Sequence, residues 1–424
     1  MTQATLSISA PVKPDLRVGP EIDPQAFTSI RRRMVLDFCK WDPQVGDVST
    51  LCDFALILSR CAWGQLAHAA EMLASETLAM ERALLDRPDL WSRLGLPRGL
   101  RRLLKRASDE LVTPAACRVM RFDFHPTRDG WRISEVNSDV PGGFAESSAF
   151  PQMIAEHVDN AQPAGDPAEL LVDSLARVAE CNGGAIALLA APGFMEDQQV
   201  VSGLARRLRH RDIPAGIAEP RNLDWRDGRA SLRTSSSNEE VAAIVRFYQG
   251  EWLARISRRF ECRNLFVGAR TPLTNPGSAI VTESKRLPLV WDEINVACPT
   301  WKRLLPETRD PRDAPWSRDN SWLLKSAFCN TGDSVTAHDL LPAKVWRKRR
   351  FDVLLNPRQW IAQRRFETTP LDTSVGAVYP CIGVYTIDGR ACGIYGRVST
   401  GPVVTYAAMD VAVLVENESE ELSE

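Results

Sequence analysis

From residue 115 the apolar period of the chain falls to two. Two short runs, RFDF (121–124) and WRISEVN (131–137), lie on either side of the turn HPTRDG. Asp129-Gly130 ahead of an alternating run is a strong hairpin signal. Side chains two apart on a strand share a face, so Arg121 goes with Asp123, and Glu135 with Asn137. If the strands pair, one patch holds two carboxylates, an amide oxygen and a guanidinium. Hard oxygens of that kind suit Mg²⁺, and the arginine fork can grip a phosphate or a carboxylate. A solvated sheet face with cross-strand ion pairs satisfies the same spacing. The segment NSDVPGG (137–143) reads as a tight turn whose glycines let backbone approach a ligand closely.

The rest of the chain narrows the choice. With 424 residues, 44% of them hydrophobic, there is material for two or three domains and a large core. A net charge of −2 points to no general nucleic-acid or anionic-membrane surface. No apolar run approaches the roughly 18–20 residues of a membrane helix. The ten cysteines stand singly with no CxxC pair, and the five histidines form no metal-type pair. Zinc or dithiol chemistry is thus disfavoured, and reduced thiols in a cytoplasm are expected. The first 25 residues lack the apolar centre of a signal peptide and are expected to be a flexible lead-in.

Residues 26–115 read as a helical region, carried by CDFALILSRCAWGQLAHAAEMLASETLAMERALLD, with the basic RRLLKR as a solvated helix face. From 168, AELLVDSLARVAE, AIALLAAP and DQQVVSGLARRLRHR read as helix, buried strand and helix. That is a βα unit of a three-layer α/β piece. The last third returns to strands, and Asp388-Gly389 marks a second hairpin in YTIDGRACGIYG.

Three further segments carry candidate chemistry. WLLKSAFCNTGDSV (322–335) offers Lys325 on a strand before a loop with Gly332, Asp333 and Ser334, which reads as a phosphate cradle. It does not match the Walker pattern. GRACGIYGRVS places Arg397 at the end of a glycine-containing strand, and WIAQRRFETTPL places Gln363 in an apolar run. An edge-strand lysine and a core strand with one polar member account for these equally well. No G-x-S-x-G, catalytic-cysteine context or G-x-G-x-x-G is present.

Set in order, these segments resemble the synthetase domain of glutathionylspermidine synthase and its circularly permuted ATP-grasp relatives. The family's R-x-D followed by E-x-N-x-D-x-P is similar to RFDF and SEVNSDVP, with Asp123 and Glu135 twelve apart. By that resemblance Asp123, Glu135 and Asn137 hold Mg²⁺, and Arg121 faces the transferred phosphate and the substrate carboxylate. ESKRLPLVW is similar to the family's nucleotide-lysine segment, which gives Lys285. Lys325 with Gly332 corresponds to the second lysine and its loop, IAQ to the adenine hinge through Gln363, and Arg397 to a late catalytic arginine. Where the synthase has an arginine five residues beyond its second lysine, this chain has Asn330, so a phosphate contact is either missing or supplied from elsewhere, for instance by Arg364 or Arg365. None of these segments is expected to correspond to the synthase's separate amidase domain.

The implied fold is α/β (α+β), a circularly permuted ATP-grasp with a helical N-terminal region and an inserted βα subdomain. Its divisions are a lead-in (1–25), helical region (26–115), metal-binding strands (116–165), βα subdomain (166–280), nucleotide lobe and lid (281–415) and acidic tail (416–424). The implied activity is a carboxylate–amine ligase using ATP and Mg²⁺ through an acyl phosphate. Its partners are a small-molecule or peptide carboxylate and an amine, with no nucleic acid or membrane; such enzymes are often dimers. Glu251 could face the amine. A small-molecule kinase and a non-catalytic nucleotide-binding module are the alternatives.

Overall fold

The computed structural model describes residues 14–45, 48–105, 115–233, 238–256, 260–328, 335–374, 376–404 and 407–418. The centre of the fold is a nine-stranded sheet whose main order is Leu16–Glu21, Leu51–Leu58, Met409–Glu416, Arg390–Ser399, Gly376–Ile387, Val119–Thr127 and Gly130–Asn137. Neighbours along this order are antiparallel, except that Met409–Glu416 runs parallel to Leu51–Leu58. Residues far apart in the chain, such as Leu56 and Val413 or Ile57 and Leu414, are thus direct partners.

Both expected hairpins form. Thr127 faces Gly130 across the first turn, and its hydroxyl donates to the Gly130 carbonyl at 2.6 Å. In the second, Asp388 and Gly389 take φ of 49° and 78°, the left-handed pair that a two-residue hairpin favours. The Asp388 carboxylate also accepts from the Arg118 backbone N–H at 2.8 Å, which ties this turn to the start of the Val119–Thr127 strand.

Two corrections concern the N-terminal third. Residues 16–21, expected within a flexible lead-in, form an edge strand on Leu51–Leu58. Leu51–Leu58 itself, expected to be helical, is a strand covered on both faces. Its run LCDFALIL is apolar at every position but the exposed Asp53 because both of its faces are packed. Ser59 then caps the long helix Arg60–Leu85, accepting from the Ala62 N–H at 3.2 Å. At the other end, Glu416 closes the last strand and pairs with Arg17, and Glu418 pairs with Arg60, so these two residues of the expected tail are tied to the body.

The Arg60–Leu85 helix covers one face of the central sheet, burying Leu66, Leu73 and Met80 with Phe122, Phe124, Ile382 and Val384. The helices Pro24–Phe38 and Phe144–Ala155 cover the other face around Met34, Phe150 and Leu414. The expected βα unit is present: Ala185–Ala190 lies parallel to Ala215–Ala218 and to Asn238–Phe247, with Pro167–Asn182 and Met195–Arg209 as its helices. A third, antiparallel sheet of Thr308–Arg309, Trp360–Arg364 and Trp322–Ser326 brings the later segments against the hairpin.

Candidate active site

Alternation along Val119–Thr127 sends Phe122 and Phe124 into the core beneath the sheet and leaves Arg121, Asp123 and His125 on the opposite face, where they line a cavity. On the neighbouring strand the alternation is broken. Asp123 is opposite Glu135, but Phe124 is opposite Ile133, so the strand carries an extra residue at Ser134. Such a bulge re-aims a side chain. Ile133 is buried in the core, while Ser134 and Glu135 both line the cavity. Strict alternation would have put Ile133 and Glu135 on one face.

The third strand supplies an opening rather than a side chain. Gly383 is the direct partner of Asp123 and, on its other side, of Tyr395. A Cβ at 383 would come within 2.8 Å of the Arg121 Cδ and 2.9 Å of Asp123 Oδ1. Through that gap the Arg121 guanidinium lies 4.8 Å from the centre of the Tyr395 ring. Its Nε and one terminal nitrogen donate to the two Asp123 oxygens at 2.8 and 3.0 Å, and the other donates to the Gly142 carbonyl at 2.6 Å. Gly142 lies in the irregular segment between the hairpin and the Phe144–Ala155 helix, where no tight turn forms. Asn137 donates its amide to Asp123 Oδ2 at 3.2 Å but does not itself line the cavity.

Cations enter from the later segments. The Lys285 ammonium is 2.9 Å from Glu135, and Lys325, on the Trp322–Ser326 strand, donates to the Ser134 carbonyl at 3.1 Å. Arg365 and Arg397 also line the cavity. Arg365 pairs with Asp339 at 2.7 Å, whereas Arg364 points to Glu307 and Asp319 outside. Of the two substitutes considered for Asn330, the structure thus brings Arg365 to the site. Asn330 itself, with Gly332, Asp333 and Ser334, lies outside the described residues.

Charge and burial set the protonation states. Burial would raise the Glu135 carboxyl, but Lys285 and Lys325 overcome it and bring the pKa down to about 2. Burial lowers Lys325 to about 8; Glu135 opposes the shift and Lys285 adds to it. His125 is pushed down to about 4 by burial and by Lys325, so it is neutral at physiological pH. It lies 3.1 Å from the Ser134 hydroxyl.

Gln363 sits one step away. It is buried on Trp360–Arg364, donates to the Thr308 hydroxyl at 3.0 Å, and lines a smaller apolar chamber with Leu287, Trp291, Trp301 and Leu305. Glu135 and Lys285 line both spaces, so the two adjoin. Glu283 closes one wall. Its carboxylate accepts from the Ser138 and Asp139 N–H groups at 2.6 and 3.0 Å, and burial lifts its pKa to about 7. Glu251, considered as an amine contact, is partly buried on a short helix and lines neither space.

Several contributors escaped the sequence reading. Tyr395 donates to Asp410 at 2.7 Å. Asp410 pairs in turn with the buried Lys40, which also meets Asp42 and Glu146. His125 follows Asp123 by two residues on one strand, so spacing alone could have found it. Gly383 carried the signal of a glycine inside a strand. Tyr395, Lys40 and Asp410 carried none.

The donor set fits Mg²⁺ in kind: two carboxylates on the directly opposed positions Asp123 and Glu135, and the amide oxygen of Asn137 opposite Arg121, all hard ligands. Both carboxylates hold cationic side chains, Arg121 and Lys285, so this end of the cavity already accommodates positive charge. Among the described residues, no group of three or more His, Cys, Asp or Glu is arranged to hold a metal ion, here or elsewhere; the donors at this site are two carboxylates and an amide.

The model of the glutathionylspermidine synthase preATP-grasp family matches residues 52–416, most of the chain. This protein belongs to that family. Membership supports an ATP-dependent synthetase in general terms. Among solved structures, a glutathione synthetase-like effector from Globodera pallida, in its apo form, shares 13% identity at a TM-score of 0.60. The match covers 93% of this chain and 98% of that one, and establishes likeness of fold. A putative gamma-glutamylcysteine synthetase from Methylobacillus flagellatus KT has 13% identity and a TM-score of 0.40, over 78% of this chain and 83% of that one. No curated protein matches this family member in sequence. No helix among the described residues is long and apolar enough to cross a membrane.

Proposed function

We propose that this protein is an ATP-dependent carboxylate–amine ligase of circularly permuted ATP-grasp type, which joins the two substrates in an amide through an acyl phosphate and releases ADP and phosphate. The observation that carries the reading is the convergence on one cavity of Asp123 and Glu135 with Lys285, Lys325, Arg365 and Arg397, from separate stretches of the chain. Asp123, Glu135 and Asn137 would hold Mg²⁺, which offsets phosphate charge during in-line transfer.

The chain's own residues do the rest. Lys285 and Lys325 hold anionic oxygens on the side nearest Glu135, and Arg365 supplies the cation missing at Asn330. Gln363 and the apolar chamber beside it suit a nucleobase edge and face. Arg397, on the strand next to Tyr395, can hold a carboxylate, and Arg121 can follow once its fork releases Asp123. Preorganised cations of this kind, in a site closed to water, are the main source of rate in phosphoryl transfer. The amine needs orientation more than a base.

The test is ADP release from Mg-ATP with pooled carboxylates and amines, with and without hydroxylamine, in wild type and Glu135→Gln. The reading requires hydroxamate and ADP in wild type and neither in the variant. ADP with no hydroxamate or amide would mean a kinase; absence of both turnover and Mg-ATP binding would remove the nucleotide site altogether.

A further inference from the structure

The helix Ala343–Leu355 is apolar on two opposite sides, and only one is covered. Trp346 and Val353 are buried in a small tryptophan-rich core with Trp316, Trp322 and Trp360. On the opposite side Phe351, Leu354 and Leu355 are 64%, 63% and 63% exposed. Their spacing of three and four stacks them on one face. Lys344, Arg347, Lys348 and Arg350 are exposed around them. Arg347 precedes Phe351 by four positions and Leu354 by seven, while Lys348 precedes Leu355 by seven, so each basic residue lies one or two turns from an apolar tip. No carboxylate among the described residues pairs with any of these four. Five basic residues and one acid give the helix a local charge of +4, within a chain whose net charge is −2.

We propose that this face docks the protein on an anionic lipid bilayer. A convex helix with bulky apolar tips fits a plane. Long basic stems beside those tips can lie along apolar surface while their heads reach headgroup phosphates. A cluster of four to eight Lys/Arg on such a helix is the charge pattern that anionic lipids complement. Helix-to-helix pairing with a second copy would set +4 against +4. The whole-chain charge conceals the patch because acidic residues elsewhere balance it. The association is peripheral, and it places the proposed face on the lobe that also supplies Lys325 and Arg365.

The experiment is co-sedimentation of the full chain with phosphatidylcholine vesicles and with mixed phosphatidylcholine–phosphatidylglycerol vesicles, across a salt series. The expected result is binding to the mixed vesicles only, weakening with salt. Each of Arg347→Gln and Lys348→Gln should weaken it about fivefold. The triple variant Phe351→Ser, Leu354→Ser and Leu355→Ser should lose it while keeping wild-type thermal unfolding, since the altered side chains are exposed. No binding, equal binding to neutral vesicles, or charge variants that bind like wild type would overturn the proposal. So would light scattering showing a wild-type dimer that the triple variant dissolves, or an acidic protein partner binding this face while mixed vesicles do not.

Discussion

Replacing Gly383 by alanine tests whether the site depends on an absent side chain. The new methyl would stand 2.8 Å from Arg121 Cδ, 3.0 Å from its Nε and 2.9 Å from Asp123 Oδ1. Ordinary carbon contacts need about 3.5–4.0 Å, so Arg121 would have to move by more than half an ångström. It has nowhere easy to go: its guanidinium is held by both Asp123 oxygens and by the Gly142 carbonyl, with the Tyr395 ring beside it. Overpacking of a filled interior costs about 1–3 kcal/mol, and weakening a charged hydrogen bond adds about 1.5–3 kcal/mol. Partial relaxation makes the two less than additive, which gives a loss of about 2–4 kcal/mol. The assay is urea unfolding with Mg-ATP turnover measured on the same samples. Gly64→Ala is the control. Gly64 is exposed in the Arg60–Leu85 helix with nothing within 4 Å of a new Cβ, so that change should stabilise by about 0.5–1 kcal/mol. If Gly383→Ala were as stable and active as wild type, the tight Arg121–Asp123–Gly383 arrangement would not be what orders the site.

Asp139→Ala should cost about 3–5 kcal/mol in urea unfolding, because Arg246, whose side chain has no exposure, would lose its carboxylate partner at 2.5 Å; Asp139→Asn should cost less. Lys325 gives a pH signature. Its folded pKa of about 8 lies below the ordinary 10.5, so between those values the unfolded chain binds more protons, and this residue's destabilising effect, present below pH 8, is relieved as pH rises through the window. Nucleotide affinity should run the other way, falling above pH 8 as the free site's ammonium is lost, and Lys325→Met should flatten both trends in calorimetric titrations. Arg365→Ala should raise the KM for ATP about tenfold, the effect of one charged contact worth about 1.4 kcal/mol, while Arg364→Ala, whose side chain points away from the cavity, should leave it unchanged.

What the sequence disclosed was local. Asp388-Gly389 specifies its hairpin through a pair of left-handed residues, and Gly130, at φ 97°, closes the other, so both were legible. Spacing along one strand likewise put Arg121 beside Asp123. The strand Leu51–Leu58 was not legible, because a run that is apolar but for Asp53 suits a buried helix and a doubly covered strand alike. Only its neighbours, one of them the last strand of the chain, decide between the two. The bulge at Ser134 was hidden for a different reason. Nothing in WRISEVN marks an extra residue, yet without it Glu135 and Ile133 would share a face and one of them would be misplaced. The residues that orient the site were hidden most completely. Arg121 is aimed by Gly383 and Tyr395, Tyr395 is held by Asp410, and Asp410 by Lys40, a chain of contacts that spans 370 positions in sequence. Reactive groups announce themselves because chemistry restricts their type and spacing. The groups that hold them are chosen only by the space the fold leaves, and any residue able to fill that space serves. A double-mutant cycle between Tyr395→Phe and Lys40→Met makes the point measurable: if the relay is real, the two losses in turnover should be far from additive, although the Lys40 side chain does not line the cavity.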